Sequence, residues 1–445
     1  MQEVKNFLEV QVSNVAKFFL EVSEDKEILV ISHFDTDGIT SAGIMVHALQ
    51  RLDRKFSLKI IKNLDKDFIC KLPKDKVVLF LDLASNSFSD IVGAELDNVF
   101  IIDHHEIVQE VPENIFIINS ELHSGYKISA SSLVYLFCLE LGKENKDLAK
   151  LAILGMIGDC LEKEVDKLNH GILEDGEIQR QRGLMIYPAT RPLNRALEFS
   201  SQPFIPEVTG NIKGVLELLR EVGLSPINGQ YKSLVDLSEE EMEKLVTAVM
   251  LRNPNFKNND LIGDIFLIKF FGKLEDAREL SAKINACSRS GKSSVAVRFC
   301  MENLKVKKEI DSIHMKYKQE LISAIKYAND EEKVEVGNLI VLNSGNNIKE
   351  TMIGTIASIL SHSSKMMLGK IIVVLGNYED KVKVSARVVG KSDYNLREIL
   401  GSVIDVIGGE VGGHKNAAGC VILQEKEKEF LEMLEKNFLN VEVKE

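Results

Sequence analysis

At 445 residues and 45% hydrophobic composition, the chain is too long for a single core and has enough apolar material for two or three domains. A formal net charge of -12 argues against a broadly basic nucleic-acid-binding coat, although a channel can be locally basic and metals neutralise clustered carboxylates. No apolar run approaches the roughly 20 residues of a membrane span, the opening Met1-Gln2-Glu3-Val4-Lys5 lacks a secretory pattern, and the six scattered cysteines form no C-x-x-C, so the expectation is a cytoplasmic protein with reduced thiols and no membrane partner.

Residues 7–22 carry Phe7, Leu8, Val12, Val15, Phe18, Phe19 and Val22 at a spacing that predicts a helix packed on a sheet. Leu29-Val30-Ile31-Ser32 reads as a buried parallel strand, followed by His33-Phe34-Asp35-Thr36-Asp37-Gly38 and a helix over 41–52. Gly38 is read as the residue that lets the backbone turn. An imidazole and two carboxylates at a strand's carboxyl end, where open α/β sheets bind ligands, suit a divalent cation such as Mn²⁺ or Mg²⁺. The competing reading is a strand-to-helix turn in which Asp37 caps the helix.

Further strands are predicted over 57–61, 77–81, 99–102 and 115–118. They end in a polar loop, in Asp82, in Asp103-His104-His105 and near Asn119. Strands separated by helical stretches predict a parallel, doubly wound sheet. Three strands then end in potential metal ligands at one edge, which helix capping does not explain. Helices follow over 130–141 and 146–157, the second strongly apolar and ending in Gly158-Asp159. Asp159 alone would read as a loop residue; in this company it reads as a ligand.

Residues 163–265 predict an α-rich insertion, punctuated by Pro188, Pro192, Pro203 and Pro206, with helices over 213–222 and 238–251; elaborated loops of the first domain are the alternative. A strand over 265–268 and a helix over 274–285 bring Asn285 and Arg289 toward the site. Residues 303–328 predict a long amphipathic helix joining two domains. Strands over 338–342, 371–375 and 382–388, with helices over 351–361, 395–407 and 425–438, predict a small α/β domain. Strand alternation places Lys383, Ser385 and Arg387 on one face, where Arg387 offers a planar fork to a phosphate and Ser385 a hydroxyl. Gly408-Gly409 and Gly412-Gly413 allow close backbone approach, with His414 presented at the turn. The expected domains are 1–300 (catalytic, including the insertion), 301–330 (linker helix) and 331–445 (substrate-binding). His47, His123, His170, His314 and His362 are read as structural.

H-x-D-x-D-G at 33–38, Asp82, D-H-H at 103–105 and Asp159 resemble the four motifs of the DHH phosphoesterases. Lys283-Ile284-Asn285-Ala286-Cys287-Ser288-Arg289-Ser290-Gly291 resembles the I-N-A-A-G-R segment of RecJ exonucleases, departing from it at Cys287 and Ser288. The stretch 381–387, followed by Gly412-Gly413-His414-Lys415-Asn416-Ala417-Ala418-Gly419, resembles the two signatures of the DHHA1 domain. Thr190-Arg191-Pro192-Leu193 resembles the archaeal RecJ-like branch. The resemblance covers nearly the whole chain. One departure bears on local loop geometry: Asp82-Leu83-Ala84 lacks the glycine often seen after the second-motif aspartate.

The resemblance implies a metal-dependent exonuclease with two divalent ions, Mn²⁺ or Mg²⁺. His33 and Asp35 would hold one ion and Asp37, His104 and Asp159 the other, with Asp82 bridging. Asp103 would orient His104, and His105 would touch substrate phosphate or assist proton transfer. Asn285, Arg289, Ser385, Arg387, Gly412, Gly413 and His414 would contact substrate. It further implies single-stranded DNA cut from the 5′ end in replication or repair, RNA as a second candidate substrate, and association with the GINS replication complex through the insertion. Two alternatives stay open: a phosphodiesterase of short oligoribonucleotides or cyclic dinucleotides, and a replisome scaffold associated with GINS.

Overall fold

The computed structural model describes residues 7–123, 126–163, 165–200, 203–252, 261–361, 368–390 and 394–442; the opening residues read for a signal, and His362, lie outside them. The chain divides into two compact units. The first comprises residues up to Gly183, Tyr187–Thr190 and Gly263–Met315; the second comprises Leu184–Ile186, Arg191–Ile262 and Lys316 onward. The sequence reading grouped the whole insertion with the first domain, whereas residues 191–262 fall in the second unit. Among the described residues no helix is long and apolar enough to cross a membrane.

The first unit is built on five parallel strands: β1 (Ile28–His33), β2 (Phe56–Ile61), β3 (Val77–Leu81), β4 (Asn98–Asp103) and β5 (Ile115–Asn119), in the order β2-β1-β3-β4-β5. Both faces are covered, so the strands are continuous runs of Val, Ile, Leu and Phe rather than alternating ones. One face, with Val30, Leu79, Phe100 and Ile102, packs against helices α1 (Phe7–Val22), α2 (Thr36–Arg51), α3 (Ala130–Leu141) and α4 (Ala149–Gly158). The other, with Ile31, Phe80 and Ile101, packs under the short helices Lys66–Ile69 and Phe88–Gly93. The strand order reverses between β1 and β3, and it is outside the carboxyl ends there that an open sheet leaves a ligand crevice.

Two boundaries differ from the sequence reading in ways that matter. Helix α2 begins at Thr36, not near 41, because Asp35 is its N-cap and accepts from the Gly38 amide at 3.0 Å. Gly38 therefore lies inside the first helical turn. It is required there by close approach, since a Cβ would sit 2.3 Å from the His33 carbonyl oxygen. The polar stretch after 165 also folds, into a helix Lys167–Asp175 capped by Asp166. A three-stranded sheet, β6 (Gln179–Leu184), β7 (Ile262–Phe270) and β8 (Lys273–Asp276), leads into the helix Ala277–Arg289.

In the second unit the insertion supplies helices Ile212–Glu221 and Glu239–Arg252, close to their predicted bounds. Its larger part is a six-stranded sheet of β9 (Val334–Val336), β10 (Leu339–Asn343), β11 (Ile371–Tyr378), β12 (Lys381–Val388), β13 (Glu410–His414) and β14 (Ala417–Leu423), ordered β13-β14-β12-β11-β10-β9. Only β10 and β11 pair in parallel. The Gly412-Gly413-His414 stretch, read as a turn, is part of the exposed edge strand β13. Its ladder with β14 outweighs the low strand propensity of paired glycines.

Candidate metal centre

Each sequence-predicted ligand of the first unit sits at the carboxyl edge of its sheet. His33 closes β1, Asp35 and Asp37 open α2, Asp82 follows β3, Asp103 closes β4 with His104 and His105 after it, and Asp159 follows α4. His33 Nδ1 lies 3.0 Å from Asp35 Oδ2 and 3.3 Å from Asp82 Oδ2. On the other side, His104 Nε2 lies 3.5 Å from Asp82 Oδ1, 3.4 Å from Asp159 Oδ2 and 4.0 Å from Asp37 Oδ2. Asp82 thus turns one oxygen toward each histidine. His33, Asp35 and Asp82 form one compact donor group, and Asp37, His104 and Asp159 another.

The surroundings explain how these side chains are held. Asp37 is fully buried and accepts from the first amides of α3, Ala130 N at 2.7 Å and Ser131 N at 3.0 Å, where a helix N-terminus favours negative charge. Helix α4 can approach that carboxylate only because Gly155 has no side chain. A Cβ there would lie 2.0 Å from Ser131 Oγ and 2.4 Å from Asp37 Oδ1. One turn on, Gly158 passes close to Thr36, where a Cβ would lie 2.8 Å from the Thr36 Cβ, and Asp159 follows directly after it. Asp82 has φ 60° and Ala84 φ 89°, the left-handed region that glycine tolerates and alanine resists. The missing glycine noted in the sequence is therefore felt at Ala84.

Asp103 differs from expectation. Its Oδ1 meets the His105 ring at Nδ1 (2.7 Å), and it reaches His104 only through the backbone amide (2.8 Å). Asp103 therefore orients the His105 ring rather than that of His104.

Burial, together with the charges of Asp35, Asp37, Asp103 and Asp159, pushes Asp82 well above the usual carboxylate range. Burial and the charges of Asp37 and Asp35 push Asp159 up to about 10. Burial also raises Asp35, but the His33 imidazole 3.0 Å away outweighs that and holds it below its usual range. Asp103 is buried too, and His105 draws it down in the same way. His33 Nδ1, Asp82 Oδ2 and Asp159 Oδ2 are buried without a hydrogen-bond partner. A concentration of carboxylates with orphaned donor atoms facing one another is unfavourable as it stands and fits a divalent cation that takes oxygen and imidazole ligands.

The remaining predicted residues are on other elements. Asn285 and Arg289 are joined to each other at 3.0 Å on the helix Ala277–Arg289. Ser385 and Arg387 lie together on β12 in the second unit, where the Arg387 guanidinium bonds Ser385 Oγ at 2.9 Å and Ser358 Oγ at 3.0 Å. Gly412, Gly413 and His414 are exposed on β13. Sequence reasoning missed the Ala130 and Ser131 amides, Gly155, Ser85 and Asn119. Only the glycines of an otherwise apolar helix gave a usable signal, since each is costly there without a packing reason.

Comparison with known proteins places these features in context. Residues 27–157 match the model of the DHH family N-terminal domain, 187–257 that of the DHH-CID domain and 300–440 that of the DHHA1 domain. An uncharacterized Methanocaldococcus jannaschii protein is 32% identical over 429 residues, 92% of each chain. A crystal structure of exonuclease RecJ bound to manganese is similar with TM-score 0.61 at 17% identity, covering 96% of this chain and 94% of that one. The structure of CDC45 from Entamoeba histolytica is similar with TM-score 0.71 at 12% identity, covering 97% and 99%.

Proposed function

The chain belongs to the DHH family and carries a DHHA1 domain, and from that premise we propose that it is a two-metal exonuclease of single-stranded nucleic acid, releasing nucleotides 5′-to-3′ from DNA in replication or repair. One observation carries the proposal: the two oxygens of Asp82 face the two donor groups on either side of it. In this reading His33, Asp35 and Asp82 hold one ion, and Asp82, Asp37, His104 and Asp159 hold the second. Bound there, the ions supply charge neutralisation at phosphorus and a water acidic enough to act as nucleophile. His105 is anchored at Nδ1 by Asp103, which leaves Nε2 to donate to a phosphate oxygen.

Arg387 supports the phosphate reading. Burial pulls its pKa down, and no carboxylate pairs with it among the described residues. Nε and Nη1 are used by Ser358, Ser385 and two backbone carbonyls, whereas Nη2 lies near Gly354, in the first turn of helix Ile353–Ser361. A spare guanidinium nitrogen beside helix N-terminal amides suits a phosphate. Asn285 and Arg289 on the helix Ala277–Arg289, and separately Gly412, Gly413 and His414 on β13, are the remaining residues proposed to contact substrate. The insertion, residues 187–257 of which match the DHH-CID model, is the surface this reading assigns to GINS.

The test is incubation with Mn²⁺ or Mg²⁺ and 5′- or 3′-labelled DNA and RNA strands of several lengths. Mononucleotides released from the 5′ end of DNA are the expected products. Cleavage confined to dinucleotides or cyclic dinucleotides would replace this reading with the phosphodiesterase one, and no hydrolysis with GINS capture intact would replace it with the scaffold.

A further inference from the structure

We infer that Asn119 is a positioning residue for His105: its amide clasps the loop after β3 to the loop after β4 and so fixes the His105 imidazole against the metal centre. This rests on the nuclease reading above. Asn119 closes β5, is fully buried, and stands opposite Asp103 in the ladder. Its Nδ2 donates to Ser85 Oγ at 2.9 Å and to the His105 carbonyl oxygen at 3.0 Å, while its Oδ1 accepts from the Glu121 amide at 2.8 Å. Ser85, also buried, donates its own amide to Asp103 Oδ2 at 3.0 Å. Asp103 Oδ1 takes the His105 ring at 2.7 Å and the His105 amide at 3.3 Å.

The circuit therefore runs from Asn119 to Ser85, from Ser85 to Asp103, from Asp103 to the His105 ring, and from the His105 carbonyl back to Asn119. Every link is a hydrogen bond of ordinary length. A second tie between the same loops, Asn86 to Glu106 O and Val108 N, is exposed and competes with water. Asn119 is, with Asp103, a buried side chain that holds both loops at once, and it is the one that grips the His105 carbonyl.

The side-chain chemistry is specific. Two donors and one acceptor are needed in a buried space, and only the amide supplies them at that size. Aspartate has the same shape but no donor at neutral pH, so Asn119→Asp removes the bond to the His105 carbonyl and places an oxygen against it, while the Ser85 hydroxyl can turn to donate to the new carboxylate. Among the described residues no hydrogen bond joins Asn119 or Ser85 to the side chain of His33, Asp35, Asp37, Asp82, His104 or Asp159, so the substitution acts on His105 rather than on the ligands.

The experiment compares wild type, Asn119→Asp, Ser85→Ala and His105→Asn as purified full chains. With Mn²⁺ and a labelled single strand, Asn119→Asp should lower kcat by about 10- to 100-fold, the cost of misplacing a group by about 1 Å. KM and Mn²⁺ affinity should be unchanged. Ser85→Ala, which keeps the backbone bond to Asp103, should fall in between and covers the case in which Asn119→Asp does not fold. Adding Asn119→Asp to His105→Asn should cost no further activity, since both act through one ring. In metal-free protein labelled at histidine nitrogens, the His105 ring resonances, assigned with His105→Asn, should move in Asn119→Asp while those of His33 stay. A lowered melting temperature with unchanged kcat per folded molecule and unmoved His105 resonances would reduce Asn119 to a structural residue. A wild type that does not hydrolyse single strands would overturn the nuclease reading instead, and the resonances would still decide whether the clasp exists.

Discussion

Replacing Gly155 by alanine sets two effects of opposite sign against each other in the middle of α4. Helix propensity favours alanine by about 1 kcal/mol. Against this, the new Cβ would stand 2.0 Å from Ser131 Oγ, 2.4 Å from Asp37 Oδ1 and 2.6 Å from Thr40 Oγ1. Overpacking of a tight interior costs about 1–3 kcal/mol. The Asp37 carboxylate must move along with the two hydroxyls, and losing one of its two amide bonds costs roughly 1.5–3 kcal/mol more, as for hydrogen bonds to charged groups. The clash therefore wins, by about 1.5–5 kcal/mol in all, and the melting temperature should fall by roughly 3 °C or more. Displacing Asp37 should also weaken Mn²⁺ binding at least about tenfold, which corresponds to roughly 1.4 kcal/mol. Thermal melts of metal-free protein and Mn²⁺ titration by electron paramagnetic resonance read the two effects separately. A Gly155→Ala protein that melts higher than wild type and binds Mn²⁺ equally well would refute both the close approach of α4 and the role of Asp37.

The other predictions follow from single positions. Asp82→Asn should abolish hydrolysis and reduce the number of Mn²⁺ ions bound, measured by calorimetry, while the circular dichroism spectrum stays native; substantial turnover at saturating Mn²⁺ would remove Asp82 from the mechanism. Arg387→Ala should lower kcat/KM by roughly ten- to hundredfold, the worth of a charge-assisted contact of about 1.5–3 kcal/mol, without changing Mn²⁺ affinity; unchanged cleavage would mean that the free guanidinium edge meets no phosphate. Ala84→Gly should stabilise the protein by about 1 kcal/mol, because relief of a left-handed alanine exceeds the added chain entropy of glycine; a lower unfolding midpoint in urea would contradict that. Leu216→Lys with Leu251→Lys, at exposed apolar positions on the two insertion helices, should abolish capture of the GINS complex and spare cleavage of short strands; retained capture would move the partner surface elsewhere.

The candidate ligands other than Asp159, which follows the apolar helix α4, were legible because they lie at or just after the end of a run of strand formers, where the sheet's own geometry collects them. Val77 to Leu81 could only be a buried strand, and a carboxylate directly after it had to emerge at the sheet's edge. What holds the ligands was not legible, and the reason is physical. Asp37 is fixed by the amides of Ala130 and Ser131, 93 and 94 residues away, and a backbone amide leaves no mark in the residue type. The same holds for Asn119, whose partners are a carbonyl, a hydroxyl and an amide from three separate segments. Gly412-Gly413 misled in the opposite sense: paired glycines argued for a turn, and the ladder from β14 imposed a strand. The contrast divides the centre into two layers. The ligand layer is set locally, by strand ends, the first turn of α2 and the C-terminal end of α4. The supporting layer is set by long-range bonds to backbone groups, so its sensitive positions are those that permit or make such bonds: Gly155 by the absence of a side chain, and Asn119 by the presence of two donors. Substitution at Gly155 should disturb the metal centre itself and substitution at Asn119 the His105 ring beside it, while every predicted ligand in the sequence stays intact.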